Sequence, residues 1–402
     1  MQARLQDVAV KAEVSAQTVS RVLRAPHLVA PDTAERVRAV MVELGYVGNQ
    51  QATALRLGRT HTIGLLFPLH DSLPMPFPLE VIAGAEERAF ARGYSLVMCD
   101  SSGPPEREAE SLSVLLSQRV AGIIYTAPRC RPETHPACAR LLKSGVPVVV
   151  ISSDPRDLPY GHVRTDDRRA GYVAVRHLLD LGRRRIAVVA GAGPPIDDRL
   201  DGATAALREA HLAPEETPLY VGPETADGGR AAAEALVARP VPWPDGIFVT
   251  TDIMALGLLE VLRSAGLRVP EDSAVVGHDD LFAASIAVPA LTTIAPPRRQ
   301  MGQHCVDLLL AGEDTAPMVH VLDAELVVRE STIGSGAGAR SGLRTPLSVP
   351  EAWSAWRRQR VTVPPHGPGA PAGITTSTLG RRSGIGSSPP RAAPRQDAAH
   401  VR

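Results

Sequence analysis

From Thr62 onward, short apolar runs alternate with longer amphipathic stretches, and this alternation limits the possible folds more than any other feature. Six runs have the pattern of buried parallel strands: IGLLF (63–67), AGIIY (121–125), VPVVVI (146–151), RIAVVAG (185–191), DGIFVT (245–250) and AVVGHDD (274–280). The amphipathic stretches between them are long enough for helices, for example 79–92, 107–118, 168–181, 199–210, 228–238 and 253–265. These repeats predict an α/β core of two doubly wound parallel-sheet subdomains, with a ligand cleft between them.

The first 45 residues have a different pattern, which is that of short helices. Apolar residues recur at helical spacing through 5–12 and again from Val19, with a short break between the two runs. Ser15 can cap the second helix, Pro31 suits the first turn of a third helix, and Gly45 suits its end. Two short helices with such a turn are typical of an all-α helix-turn-helix head, whose second helix enters the major groove of DNA.

Charge is distributed unevenly, although Lys and Arg together equal Asp and Glu at 43 each. Residues 1–60 hold eight basic and five acidic side chains, and residues 333–402 hold ten and two, so the middle of the chain is acidic. A basic head on an acidic body is expected of a protein that contacts a polyanion at one end. The tail at 333–402 is rich in Pro, Gly, Arg and Ser, which predicts disorder. The tail is either a dispensable extension or a segment that contacts nucleic acid non-specifically.

Cellular location is also suggested by composition. No stretch has the length and hydrophobicity of a membrane-spanning helix, and the N-terminal segment lacks the apolar region of a secretory signal. We therefore expect a cytoplasmic, nucleoid-associated protein that does not contact a membrane. The four cysteines lie far apart without metal-ligand spacing, which predicts reduced thiols and no metal site: Cys99, Cys130, Cys138 and Cys305.

The motifs of the head resemble those of one known family. The runs DVA, TVSRVL and ELGY, with Val29-Ala30-Pro31 between the last two, closely resemble the head of the LacI family of bacterial transcription regulators. The runs TIGLLFP, IAGAEERAFARGY, RLDGATAAL, TTDIMALG and ELVVREST resemble the core of the same family, which has the periplasmic-binding-protein-like type I fold.

The resemblance implies a division of the chain into parts. It places a helix-turn-helix domain at 1–47, a hinge helix at 48–61, an effector-binding core at 62–332 and the tail at 333–402. Within the core it implies an N-subdomain of about 62–160 and 292–322, and a C-subdomain of about 161–291 and 323–332.

The resemblance also implies which residues contact DNA. The positions that read bases are Ala16, Gln17 and Arg21, and those that contact phosphates are Thr18, Ser20 and Arg24. Gln and Arg carry the hydrogen-bonding groups that pair with adenine and guanine edges. Glu13 stands in the turn where the family usually has Gly, and a left-handed turn there is costly for a residue with a Cβ atom.

The hinge resembles the family's segment that folds on the minor groove. Asn49 and Ala52 match its pattern, and Leu55 falls where the family inserts an apolar wedge between base pairs. Ordinary packing in a linker is the alternative for Leu55. Gly48 replaces the usual Pro, which increases the ordering entropy that binding must overcome.

Effector contacts are implied at the carboxyl ends of the core strands. Asp279 can accept hydrogen bonds from hydroxyl groups, Arg199 can donate them, and the ring of Phe77 can pack on a sugar. Thr251 and Asp252 are further candidates. The alternatives are a surface ion pair for Arg199, a core position for Phe77 and a helix N-cap for Asp252.

The pocket departs from well-known members of the family. Thr251 replaces a common Asn, and Glu224 falls where several relatives have an aromatic residue. His278 replaces an aromatic residue and is interpreted as a packing variant. The resemblance therefore implies a sugar or nucleoside as effector without identifying it.

Together these patterns predict a transcription regulator, more specifically a repressor, that binds double-stranded palindromic operator DNA as a homodimer under the control of a sugar-like effector. The alternatives are an extracellular-type solute-binding protein and a ligand-independent DNA-binding protein. No enzyme is expected, because the sequence shows no phosphate-binding glycine loop, no G-x-S-x-G motif and no Cys/His pairing. No cofactor is expected either.

Overall fold

The fold is that of a computed structural model of the protein. The structure describes residues 3–24, 26–46, 60–68, 76–126, 136–151, 160–239, 242–311, 319–335, 343–346 and 375–378.

The head is a three-helix unit. Its helices are α1 (Leu5–Lys11), α2 (Ala16–Arg24) and α3 (Pro31–Glu43), with a 3-10 turn at Pro26–Leu28 between the last two. Val8, Val19 and Val37 are fully buried at its centre. Such a small apolar core stabilises three helices that are too short to persist alone.

The predicted local signals of the head are confirmed. The Thr18 amide donates to the Ser15 hydroxyl at 3.0 Å, so Ser15 caps α2. Pro31 opens α3, and Gly45 follows it with a φ of 59°. Glu13 adopts the left-handed turn despite its side chain, with a φ of 54°.

The first lobe is a six-stranded parallel sheet with the strand order β11-β5-β4-β3-β1-β2. Its strands are β1 (Thr62–Phe67), β2 (Ser95–Asp100), β3 (Gly122–Thr126), β4 (Val148–Ile151), β5 (Gly161–Thr165) and β11 (Val319–Leu322). Its helices are α4 (Pro76–Ala91), α5 (Pro105–Ser117), α6 (Pro136–Ser144) and α12 (Arg298–Leu310). Separate apolar clusters pack on the two faces, one under α5 and α6 and one under α4 and α12.

The second lobe is an eight-stranded sheet with the order β13-β12-β10-β9-β8-β6-β7-β14. Its strands are β6 (Ile186–Ala190), β7 (Pro218–Val221), β8 (Gly246–Val249), β9 (Ala274–His278), β10 (Thr292–Ala295), β12 (Glu325–Val328), β13 (Leu343–Pro346) and β14 (Thr375–Thr378). Its helices are α7 (Asp167–Asp180), α8 (Pro194–Glu209), α9 (Ala226–Val237), α10 (Asp252–Ser264), α11 (Phe282–Ile286) and α13 (Glu330–Ile333), and a 3-10 turn lies at Pro214–Glu216. Apolar clusters again cover both faces, so the predicted doubly wound architecture is confirmed in both lobes.

Two strands lie in a different lobe from the one that the expected subdomain boundaries give them. The sequence assigned 161–165 to the C-subdomain, but β5 pairs in parallel with β4 and belongs to the first lobe. It also assigned 292–295 to the N-subdomain, but β10 pairs with β9 in the second lobe. Each of these strands completes its own sheet before the chain crosses over, and periodicity alone does not show that.

The second sheet has antiparallel strands at its edges. β12 and β13 pair antiparallel beyond β10, and β14 pairs antiparallel with β7 at the other edge. β13 and β14 come from the 333–402 segment, whose composition predicts disorder, so two short pieces of that segment add to the sheet. Strands that pair with an edge shield amide and carbonyl groups that would otherwise be open to other chains.

Two further findings concern composition. Cys138 is disulfide-bonded, so the prediction of reduced thiols is wrong for that residue, whereas Cys99 and Cys305 are free. Among the helices in the described ranges, none is both long enough and apolar enough to cross a bilayer.

Candidate effector site and DNA-binding surface

The predicted base-reading residues lie on the exposed face of α2. Val19 and Val22 point into the head core, and this places Ala16, Gln17 and Arg21 on the opposite, solvent-exposed side. An amide and a guanidinium group, one helical turn apart on an open face, can reach base edges in a major groove without moving the core.

The phosphate candidates differ in their setting. Thr18 is half-buried, and its hydroxyl lies 2.9 Å from that of Ser15 at the start of α2. Ser20 is also half-buried. Arg24 ends α2, but its side chain lies outside the described residues, as do the predicted hinge contacts Asn49, Ala52 and Leu55.

Arg199 forms a buried ion pair at the carboxyl edge of the second sheet. Its Nε donates to Asp167 Oδ1 at 2.8 Å, and its Nη1 donates to the Thr250 carbonyl at 2.7 Å. Burial alone would lower the pKa of Arg199, but the charges of Asp167 and Asp279 outweigh this effect and raise it. The side chain is only 10% exposed, so the alternative of a surface ion pair is wrong.

Close helix packing brings this pair together. A Cβ atom on Gly171 of α7 would lie 1.9 Å from the Arg199 carbonyl oxygen of α8. Only glycine allows the two backbones to approach this closely, which places Arg199 beside Asp167 at the start of α7.

Asp279 lies directly after β9 in a strained backbone conformation, with a φ of 124°. Its Oδ1 is 3.1 Å from His278 Nδ1 and 3.9 Å from Arg298 Nη2. Burial alone would raise its pKa, but the hydrogen bond to His278 and the charges of Arg199 and Arg298 outweigh burial and lower it. Asp279 is therefore an ionised acceptor whose charge acts on Arg199.

His278 joins the two predicted contacts. The residue is fully buried, its Nδ1 faces Asp279, and its Nε2 lies 4.0 Å from Asp167 Oδ1. Burial, together with the charge of Arg199, lowers its pKa, so the ring is neutral. Its sequence neighbour Asp279 was identified from the motif, but His278 was interpreted as packing, and only its place between two carboxylates shows that it belongs to the site.

Asp252 has a structural role in the described conformation. Its Oδ1 accepts from the Thr293 hydroxyl at 2.6 Å and its Oδ2 accepts from the Leu281 amide at 2.9 Å. The N-cap position of α10 is occupied by Thr251, so the alternative of an N-cap role for Asp252 is wrong. Burial, reinforced by the charge of Asp279, raises the pKa of Asp252 to about 7. These bonds fix the loop after β9 rather than present a carboxylate to a ligand.

Two of the remaining candidates, Thr251 and Glu224, follow strands of the second sheet at the same edge. Thr251 is buried, and its hydroxyl makes no hydrogen bond within the described ranges. Burial raises the pKa of Glu224, and the charge of Arg199 only partly offsets this effect. Phe77 lies in the first turn of α4, and its side chain is outside the described residues.

Arg298 connects this edge to the first lobe. It opens α12, and its Nη2 donates to the Asp279 carbonyl while its Nη1 lies 3.8 Å from Glu80 of α4. α12 and α4 are in close contact, since a Cβ on Gly302 would lie 2.0 Å from the carbonyl oxygen of Val81. A residue that is fixed in the first lobe thus holds the backbone of a predicted effector contact in the second.

Comparisons with known proteins agree with this architecture. Residues 4–49 match the family described as "Bacterial regulatory proteins, lacI family", and residues 175–332 match the "Periplasmic binding protein-like domain". The chain is 34% identical over 315 residues to the ribose operon repressor of Escherichia coli (strain K12), which covers 77% of this chain and 92% of that protein.

Two solved structures show the same similarity. A complex of the transcriptional regulator CelR with cellobiose is 34% identical, with a TM-score of 0.60, covering 82% of this chain and 99% of that one. The lac repressor dimer bound to operator and the anti-inducer ONPF is 29% identical, with a TM-score of 0.70, covering 83% and 99%.

A helical head followed by two α/β lobes with a polar edge defines a class of DNA-binding regulators with a sensor core. The chain belongs to the lacI family of bacterial regulatory proteins, and its relatives are transcriptional regulators.

Proposed function

We propose that this chain is a repressor that binds a palindromic operator as a homodimer in the cytoplasm, and that a hydroxyl-rich small molecule bound beside Arg199 and Asp279 controls its affinity for DNA. The observation that carries the proposal is the presence in one chain of an exposed polar face on α2 and a buried, ionised polar cluster at the carboxyl edge of the second sheet.

The DNA contacts follow from the exposed face of α2. Gln17 and Arg21 read bases, and Thr18 and Ser20, with Arg24, hold phosphates. The 48–61 segment, with Asn49, Ala52 and Leu55, serves as the hinge in the minor groove. Since one head covers half of a palindrome, two chains are needed for one operator.

Exposed apolar side chains support association of two cores. In the second lobe Phe282, Ile286 and Val288 are 74%, 63% and 67% exposed, and in the first lobe Phe90 is 77% exposed. Neighbouring large apolar side chains in water are costly, and a second copy of the chain would cover them.

The chemistry of the polar edge favours a neutral ligand rich in hydroxyl groups. Asp279 accepts hydrogen bonds and Arg199 donates them, so a polyol can satisfy both. The relatives support this class, since one is named for the ribose operon and another was solved with cellobiose.

Control of DNA binding requires that the effector prefers one arrangement of the lobes. Arg298 supplies a physical link, because it contacts Asp279 in one lobe and Glu80 in the other. A ligand that binds Asp279 would change the contact between Asp279 and Arg298. This would alter how the two lobes of each chain are arranged, and with it the spacing of the two heads in the dimer.

A footprint on the DNA upstream of the gene for this chain tests the proposal. Purified protein should protect a palindromic segment, and one member of a panel of mono- and disaccharides should change the protection. Protection without preference for any sequence, or a protected site that no saccharide affects, would contradict the proposed operator or the proposed effector class, respectively.

A further inference from the structure

Two buried polar atoms at the carboxyl edge of the second sheet have no hydrogen-bond partner within the described part of the chain. They are Nε2 of His278 and Oγ1 of Thr251, and each exposes less than 1 Å². Thr251 directly follows Thr250, whose carbonyl accepts from Arg199, and His278 Nε2 is 4.0 Å from the Asp167 oxygen that accepts from Arg199. Native cores rarely leave buried polar atoms unpaired, so two at one site call for a partner that is enclosed there.

The contacts of His278 define which proton its ring carries. Asp279 is ionised and can only accept a hydrogen bond, so the ring nitrogen 3.1 Å away must donate one. The ring is neutral because burial and the charge of Arg199 lower the pKa of His278. Its single proton is therefore on Nδ1, and Nε2 presents a lone pair that needs a donor.

The surroundings decide which kind of donor fits. The charged groups that face the ring are Asp279, Asp167 and Arg199. Asp167 and Asp279 are acceptors and supply no proton to Nε2. The guanidinium of Arg199 repels a second cation at this point. A neutral donor remains, and among neutral donors a hydroxyl-rich ligand fits best, because another of its hydroxyls can pair with the Thr251 hydroxyl, which can donate and accept.

We propose that His278 is a ligand-binding residue, whose Nε2 accepts a hydrogen bond from a hydroxyl group of the effector while its Nδ1–H holds Asp279. This inference rests on the proposed effector site and adds to it a residue that distinguishes a hydroxylated ligand from its deoxy analogue. A deoxy analogue lacks the hydroxyl that pairs with Nε2 and leaves this atom buried and unpaired. The analogue should therefore bind more weakly than the parent ligand.

Two variants separate the two functions of the ring. In His278→Asn the amide NH₂ can replace Nδ1–H toward Asp279, but no acceptor remains at Nε2. In His278→Gln the longer side chain can place its carbonyl oxygen near Nε2, but the donor to Asp279 is lost. The readout is the ratio of affinities of full-length protein, by calorimetry, for D-ribose and cellobiose against their monodeoxy derivatives.

Wild type and His278→Gln should prefer the parent sugar over one deoxy derivative by about tenfold, and His278→Asn should not discriminate between the two. Equal discrimination by His278→Asn and wild type would overturn the proposal, because it would leave the ring with a structural role only.

A ligand-free measurement distinguishes failure of this proposal from failure of the proposed effector class. Nitrogen NMR of protein with ¹⁵N-labelled histidine, assigned with His278→Asn, should show Nδ1–H and a bare Nε2 at neutral pH. A proton on Nε2 would overturn the proposal, whatever the sugars do. If neither sugar binds to wild type while Nε2 is bare, the sugar class is wrong and the acceptor at His278 stands.

Discussion

The head and the second lobe place their candidate recognition groups in opposite ways. In the head, Gln17 and Arg21 lie on an open helix face, separated from the apolar core beneath. In the second lobe, Arg199, His278 and Asp279 are joined to one another in a buried network. A substitution on the open face of α2 should therefore change DNA binding alone, whereas a substitution in the buried network should also change the hydrogen bonds and charges of neighbouring residues.

The largest effect is expected on the open face. Arg21→Ala removes a two-pronged contact to a base from each head, and the preference for operator over random DNA should fall roughly a thousandfold. Fluorescence anisotropy with labelled duplexes measures this. Arg38→Ala, which removes an exposed arginine from α3, is the matched control and should weaken both duplexes alike. Operator preference that survives in Arg21→Ala would show that α2 does not read bases.

In the buried network, Asp279→Asn should lower the affinity for the effector by about a hundredfold, because a charged acceptor is lost. Operator affinity without effector should change less than about twofold. Asn tolerates unusual backbone conformations better than most residues, so the fold should persist. Asp280→Asn is the control, since the Asp280 carboxylate binds Arg329 at 2.6 Å instead. If Asp279→Asn and Asp280→Asn lowered the affinity for the effector equally, Asp279 would not be a specific effector contact.

The proposed connection between the two lobes is tested at Arg298. Arg298→Lys keeps the charge but loses the fork that spans Asp279 and Glu80, so the effect of effector on operator affinity should fall by about tenfold. Effector and operator affinities, each measured alone, should change less. An unchanged coupling would exclude Arg298 as the connection between the lobes.

A smaller effect concerns stability and pH. Burial raises the pKa of Asp252 from 3.8 to about 7, so the folded state binds the proton more tightly than the unfolded state does. Stability should therefore fall as pH rises across this window, by on the order of 4 kcal/mol, and should stay level above it. In Asp252→Asn this slope should disappear in urea unfolding curves. A slope identical to that of wild type would assign the dependence to another group.

The smallest effect belongs to the turn of the head. Glu13 holds a φ of 54°, which Gly adopts without strain, so Glu13→Gly should stabilise the head by about 0.5–1 kcal/mol. Hydrogen exchange of the α1 and α2 amides in the full chain measures this, with Gln6→Ala, an exposed position on α1, as a control that leaves the turn unchanged. Faster exchange in Glu13→Gly would show that the Glu side chain itself supports the turn.

Local signals were readable from the sequence, and long-range ones were not. The cap at Ser15, the start of α3 at Pro31 and the strand at 62–67 depend on neighbours in the chain, and the structure has them as predicted. β2 was missed because it is an edge strand whose alternation is weak, with one exposed residue among half-buried ones at 96–100. β10 is only four residues long, which is too short for a periodic signal.

The candidate site shows the same limit. Arg199 and Asp279 were identified because motifs carry them, but Asp167 was not, since it lies 32 residues from Arg199 and meets it only through the crossing of α7 and α8. Arg298 was missed for the same reason, because its partner Glu80 belongs to a distant helix. Asp252 was considered as an effector contact, and its hydrogen bonds to Thr293 and Leu281 show another use.

The central claim is that one chain holds two sites that influence each other. The most direct test measures operator affinity of the full-length protein with and without a saturating saccharide that it binds, and then saccharide affinity with and without operator. Both should change by the same factor, about 5-fold to 150-fold, because linkage between two sites is reciprocal. Operator affinity that stays the same at saturating saccharide would contradict the account.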